Sequence, residues 1–197
     1  MSKAGGKGAR SRIAEIEERL RPPLAWARAA AELDDMFRSG AVPDPLPEGF
    51  LRGRALMTSL SRALDAVGRG IAELYMPWLG KSFTRDAGTG VNVFTRQARV
   101  LLKALWPSYV PERELSDRIE AFPLETRIGP GAVDPVVEVL KIDYDLEANP
   151  TFIVRSVLDE LVQVDEGLYL GKVLYRWGSS HHPIGFFSLE EDAAELA

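Results

Sequence analysis

Two adjacent histidines, His181 and His182, and the carboxylates of Asp143, Asp145, Asp159 and Glu160 are the side chains of this chain best suited to metal or acid–base chemistry. Neighbouring histidines seldom direct both rings at one ion without a third group, and neither a His-x-His nor a His-Glu-x-x-His spacing is present. The pair falls in a predicted turn, so a solvated turn is expected and no metal site is assigned. Two carboxylates that converge on an apolar interior could transfer protons, because a dry cavity raises one pKa and leaves its neighbour ionised. Alternation over Val136 to Tyr144 sets Asp143 beside Val137, Val139 and Lys141, opposite Leu140, Ile142 and Tyr144. Asp143 is therefore expected at the surface, paired with Lys141 or Arg155. Asp159 and Glu160 remain the carboxylates to which proton transfer could fall, and no residue is assigned a catalytic role outright.

Other chemistries find less support. The chain contains no cysteine, which removes disulfides, thiolate metal sites and thiol nucleophiles together. Gly129-Pro130-Gly131 and Asp86-Ala87-Gly88-Thr89-Gly90 are its glycine-rich loops, and neither has the lysine and hydroxyl spacing that cradles phosphate, so both read as turns and no cofactor is assigned. Ser59, Ser61, Ser156 and Ser188 lack the glycine-flanked elbow of an acyl-transfer nucleophile. A net charge of −5 disfavours a nucleic-acid partner. No apolar run is long enough to cross a bilayer, and the basic start is not followed by the apolar segment of a secretion signal, so the expected location is cytoplasmic.

With 197 residues, 46% of them hydrophobic, one domain is expected. Residues 1–10 read as a disordered basic tail and 190–197 as an acidic tail, leaving 11–189 as a single α+β domain, mainly helical over 11–76 and β-rich over 78–189. Ser11 is a fair N-cap for a helix carrying Ile13, Ile16 and Leu20; after Pro22-Pro23 the period resumes through Trp26, Ala30, Leu33 and Phe37, and Gly40 stops it. Three prolines between Val42 and Gly49 predict an extended connector. Leu60, Leu64, Val67, Ile71 and Leu74 predict a further helix, weakened by Gly68 and Gly70. A hairpin is expected from Trp78 to Phe94, then a helix with Ala98, Leu101, Leu102 and Leu105 inward and Thr95 as N-cap. Later strands are expected at Glu120–Ile128, Val136–Tyr144, Leu168–Trp177 and Ile184–Leu189, with Phe152–Val164 ambiguous and assigned to a strand. The result is a helical N-terminal region followed by a curved antiparallel sheet or small β-barrel.

The segment Asp165-Glu166-Gly167-Leu168-Tyr169-Leu170-Gly171-Lys172-Val173-Leu174-Tyr175 alternates so that Leu168, Leu170, Lys172 and Leu174 oppose Tyr169, Gly171, Val173 and Tyr175. Both faces are largely apolar, which suits a strand covered by helices outside and a cavity inside, with room for a ligand expected at Gly171. The run from Gly167 to Lys172, its alternating continuation and the short strand Ile184-Gly185-Phe186-Phe187 resemble late strands of lipocalin-like (calycin) barrels. The early Gly-x-Trp motif of that family is missing: the nearest tryptophan, Trp78, stands in Met76-Pro77-Trp78-Leu79-Gly80-Lys81 instead, and the long helical N-terminal region also departs from the family pattern. The resemblance implies binding of a small hydrophobic molecule at a barrel mouth.

The function expected is binding of a small apolar or amphipathic molecule, with Trp78, Phe83, Tyr144, Tyr169 and Tyr175 lining the cavity and Lys81 or Lys172 meeting a polar head group. One alternative is an isomerase-like or cyclase-like enzyme with Asp159 or Glu160 transferring protons. Another makes Ser11 to Gly40 an interaction arm that pairs two chains or docks a partner through Trp26, Leu33 and Phe37.

Overall fold

The computed structural model describes residues 6–19, 26–57 and 77–191. Nine strands follow in chain order: β1 (Gly49–Met57), β2 (Trp78–Thr84), β3 (Thr89–Thr95), β4 (Arg113–Glu114), β5 (Arg118–Pro130), β6 (Glu138–Asp143), β7 (Val157–Asp165), β8 (Leu168–Trp177) and β9 (Ser180–Glu191). Antiparallel pairing runs β3-β2-β1-β9-β8-β7-β6-β5, and β3 also pairs with β5, so eight strands close into a barrel while the two-residue β4 is added on β5. Closure leaves no long free edge, and eight strands enclose a space that side chains nearly fill. Helices α1 (Gly6–Arg19) and α2 (Trp26–Ser39) lie against the outside of β7 and β8; α3 (Ala98–Leu105) follows β3.

Period-2 alternation separates two cores. Inward residues such as Leu51, Ile142, Leu161, Tyr169, Val173 and Phe187 form one cluster with α3, whereas Ile16, Leu33, Phe37, Val139, Leu170 and Phe186 form another between the barrel wall and the N-terminal helices. The adjacent Phe186 and Phe187 thus serve opposite sides of one strand. Burying Leu33 and Phe37, 0% and 1% exposed, against the chain's own barrel consumes the apolar face that the interaction-arm reading required. Pairing of chains through those two side chains is therefore corrected.

Lys172 also faces this outer layer. Its ammonium lies 4.3 Å from the Phe37 ring centroid and donates to Asp34 Oδ1 at 2.5 Å, while Arg38 reaches Asp134 at 3.1 Å. Its expected role toward an interior ligand is corrected: Lys172 fastens α2 to the barrel. Gly171 faces inward, but a Cβ there would stand 2.1 Å from Cζ of Phe187. The space opposite Gly171 holds that ring instead of a ligand. Gly53 on β1 does the same for Trp78, whose ring would approach a Cβ to 2.4 Å, and the Trp78 and Phe187 rings meet edge to face at 5.7 Å.

Other boundaries shift. β1 was not anticipated, falling inside the stretch expected to be helical. His181 and His182 lie on β9, opposite Arg176 and Tyr175, because the turn takes only Gly178 and Ser179. The first helix starts by Gly6, before Ser11, and Arg10 pairs with Glu190 at 2.9 Å; β9 runs to Glu191, whose carboxylate accepts from Tyr169 at 2.6 Å, so neither flank is a free tail at these positions. Asp143 is partly exposed as expected, but pairs with Arg127 at 3.2 Å. Thr95 does not cap α3: its Oγ1 makes no hydrogen bond. The helix expected over Leu60 to Leu74 lies outside the described residues.

Gly171→Ala should destabilise the fold by about 1–3 kcal/mol through overpacking, and Phe187→Leu in the same chain should recover part of that loss in denaturant unfolding. A neutral Gly171→Ala would contradict the ring placement. Burial favours a raised pKa at Asp34, but the hydrogen bonds and charges of Lys172 and Arg38 hold its carboxyl below the ordinary 3.8. A depressed carboxyl stabilises the fold fully above its unfolded value and loses that contribution as pH falls through the folded one. Asp34→Asn should therefore cost about 1–2 kcal/mol at neutral pH, reduced by solvent screening. Its deficit against the parent should shrink as pH falls from about 5 through the lowered folded value.

Candidate functional site

A cavity of about 60 Å³ lies inside the barrel where β2, β5 and β7 begin and β3 and β6 end. Lys81, Asn92, Tyr144 and Asp159 supply its polar wall; Trp78, Phe94, Phe122, Ile153, Val154, Val157 and Val173 supply the rest. Strict alternation along β2 would turn Trp78 away from Lys81. A bulge between Trp78 and Gly80 restores both to the interior, with Trp78 opposite Phe94 and Lys81 opposite Asn92. Gly80 is required at this bulge, since its φ is +149° and a Cβ would stand 2.0 Å from the Leu51 carbonyl oxygen.

Lys81 Nζ donates to Asp159 Oδ2 at 2.9 Å, to Asn92 Oδ1 at 2.9 Å and to the Tyr144 hydroxyl. Those acceptors match the three N–H bonds of an ammonium. Tyr144 Oη donates onward to Asp159 Oδ2 at 3.0 Å, and Trp78 Nε1 donates to Asn92 Oδ1 at 3.1 Å. The rings of Trp78, Tyr144 and Phe187 stand 5.1–5.3 Å from Nζ, so the cation occupies an aromatic cage of its own. Burial pushes the Lys81 ammonium down from its ordinary value of 10.5, opposed by the charge and hydrogen bond of Asp159. Both side chains of the pair are 1% exposed. Asp159 Oδ1, also buried, has no hydrogen-bond partner among the described residues.

Two backbone distortions shape the apolar wall. Phe122 has φ +58° and sits at the β5 bulge, where its N–H donates to Tyr109 Oη at 2.7 Å and its carbonyl accepts from Asn92 Nδ2 at 3.4 Å. Its ring stacks on Tyr109 and meets Phe94 and Trp106 edge to face. Burial pushes the Tyr109 phenol up to about 12, so it stays un-ionised beside that ring. Ile153, at φ +70° and ψ −64°, forms a tight γ-turn closed by Val154 N–H to the Phe152 carbonyl at 3.0 Å, which also accepts from Trp106 Nε1.

Of the residues singled out in the sequence, the structure brings Trp78, Lys81, Tyr144 and Asp159 to one cavity. Phe83 is buried in the same core away from it, Tyr169 turns its hydroxyl to Glu191, and Tyr175 packs beside Val157 without lining it. Glu160 points to the outer side and accepts from the Ala132 N–H at 2.6 Å. Asn92, Phe122 and Ile153 were missed; the inward phase of Val91-Asn92-Val93-Phe94 was the available signal for Asn92. Among the described residues no group of three or more metal-ligating side chains comes together, and burial lowers the pKa of His181.

No protein-family model and no curated protein matches the chain. Among solved structures it is similar to a crystal structure of a protein from Thermomonospora curvata, 15% identical, over 90% of this chain and 99% of that one, with a TM-score of 0.47.

Removing one member of a buried ion pair strands the other. Asp159→Leu alone should cost about 3–5 kcal/mol, whereas Lys81→Met combined with Asp159→Leu should return to within about 2 kcal/mol of the parent in denaturant unfolding. Additive losses would contradict the pairing.

Proposed function

We propose that the chain binds a small amphipathic molecule in the barrel cavity, with its polar end at Asp159 Oδ1 and its apolar body against Phe94, Phe122, Ile153 and Val154. The observation that carries this reading is one buried carboxylate oxygen without a partner, on a cavity whose other polar side chains, Lys81, Asn92 and Tyr144, bond to the protein and whose remaining lining is apolar. Buried acceptors are satisfied in the great majority of folded proteins, so an unsatisfied one beside open space favours a donor-bearing guest. The reading keeps the small-molecule binding that the calycin resemblance implies and alters the residues. Lys81 has its donors committed to the protein and so holds Asp159 in place, leaving the contact with the guest to the carboxylate.

Volume limits the guest. About 60 Å³ corresponds to roughly two water molecules at their liquid volume, enough for a polar head and one or two carbons. A long-chain lipid would have to leave its tail outside, past Ile153 and Val157. The same Oδ1 atom is where proton transfer, the second reading, would begin. Lys81 at 2.9 Å and Tyr144 at 3.0 Å already hold Asp159 in place through its other oxygen, an arrangement that suits a fixed acceptor, so binding is the stronger reading.

Ligand-observed NMR of the full chain against amphipathic molecules of about two to four heavy atoms tests the proposal. Binders should emerge, and Val154→Phe, which fills the cavity, should abolish their signal while the barrel stays folded. Silence from the whole panel, or binding undiminished in Val154→Phe, rules the reading out.

A further inference from the structure

We infer that this cavity selects a neutral alcohol over an amine, a carboxylic acid or an ether; the inference rests on the binding reading above and specifies its ligand class. Lys81 and Asp159 are the charged side chains among those lining the cavity, and at 2.9 Å they cancel. A charged head group would therefore lose its hydration without a free counter-charge to replace it. An ammonium drawn to Asp159 would also face the Lys81 ammonium. A carboxylate would set its oxygens against Oδ1, with the Lys81 N–H bonds already committed to Asp159, Asn92 and Tyr144. An ether or a hydrocarbon would leave Oδ1 without a donor.

A hydroxyl meets each condition. Its O–H satisfies Oδ1, and its oxygen can accept from Asn92. The amide of Asn92 is oriented by two donors to its Oδ1, from Trp78 at 3.1 Å and Lys81 at 2.9 Å. Its Nδ2 consequently lies on the other side, where it makes one long bond of 3.4 Å to the Phe122 carbonyl and has a second N–H to offer. Asp159 and Asn92, which both line the cavity, thus offer an acceptor and a donor without net charge, the two-way complement of an alcohol. Lys81 and Trp78 are positioning residues here: they fix the faces that Asp159 and Asn92 present.

Four probes of nearly equal size separate the possibilities: n-propanol, its isomer ethyl methyl ether, propylammonium and propanoate, each titrated into the full chain by NMR at neutral pH. The alcohol should bind at least about tenfold more tightly than each of the others, the loss expected when a buried polar group is left unpaired. The Lys81→Met, Asp159→Leu double variant should erase the preference of alcohol over ether. If the ether equals the alcohol, or either ion binds more tightly, the inference is overturned while small-molecule binding stands. If none of the four binds and the wider panel is silent as well, the binding reading itself falls. Selectivity within the parent chain decides the matter even if the double variant does not fold.

Discussion

A lysine ammonium and an aspartate carboxylate sealed inside an apolar barrel form the constraint on which the rest of the structure depends. Desolvating each ion costs several kcal/mol even after relaxation, so the pair is tolerable only with good geometry and with its remaining hydrogen bonds satisfied. Lys81 comes from β2, Asn92 from β3, Asp159 from β7, and Tyr144 from the residue after β6. A one-residue slip in any of these strands would turn its polar group into the outer layer and leave the others buried without partners. The cluster therefore specifies the register of four separate parts of a closed sheet. The bulge at Gly80 follows from the same demand, since Trp78 and Lys81 must both face inward although they differ in phase.

The backbone strain is concentrated around the same space. Phe122 and Ile153 are the described non-glycine residues with positive φ, and both line the cavity. Such conformations cost on the order of 1–3 kcal/mol each and persist where neighbouring contacts over-determine them. Tyr109 and Asn92 hold the Phe122 peptide, and Trp106 holds the carbonyl that closes the Ile153 turn. Asn149 ties the chain after β6 to β5 by donating to the Tyr144 and Pro123 carbonyls.

Legibility from sequence follows the regularity of each element. Leu168–Trp177 alternates without interruption, and β8 has those bounds. The hairpin of β2 and β3 and helix α3 also stand where turn residues and periodicity put them. β1 escaped because its inward positions include Gly53, where the Trp78 ring fills the space; a strand whose core contact is the absence of a side chain shows no apolar alternation. The site was partly legible for a related reason. Asp159 and Lys81 could be nominated by their charge within the β-rich half, but Phe122 and the shared inward phase of Trp78 and Lys81 depend on bulges, which leave no period of their own.

Lys81 and Lys172 show why an ion pair among aromatic rings does not by itself make a site. Each lysine is buried, lies near aromatic rings and donates to an aspartate. Lys172 works on the outside of the wall, where Asp34 belongs to a helix and is also paired with Arg38 at 2.9 Å, so the contact joins two elements and its carboxylate is shared with solvent and a second cation. Lys81 works on the inside, where Asp159 receives both Lys81 and Tyr144 on one oxygen and keeps the other unsatisfied. The attractions are similar; the difference is in what remains after they are made. Outside, what remains is surface exposure and a docked helix; inside, it is one buried carboxylate oxygen without a partner among the described residues, on a side chain that lines a small cavity.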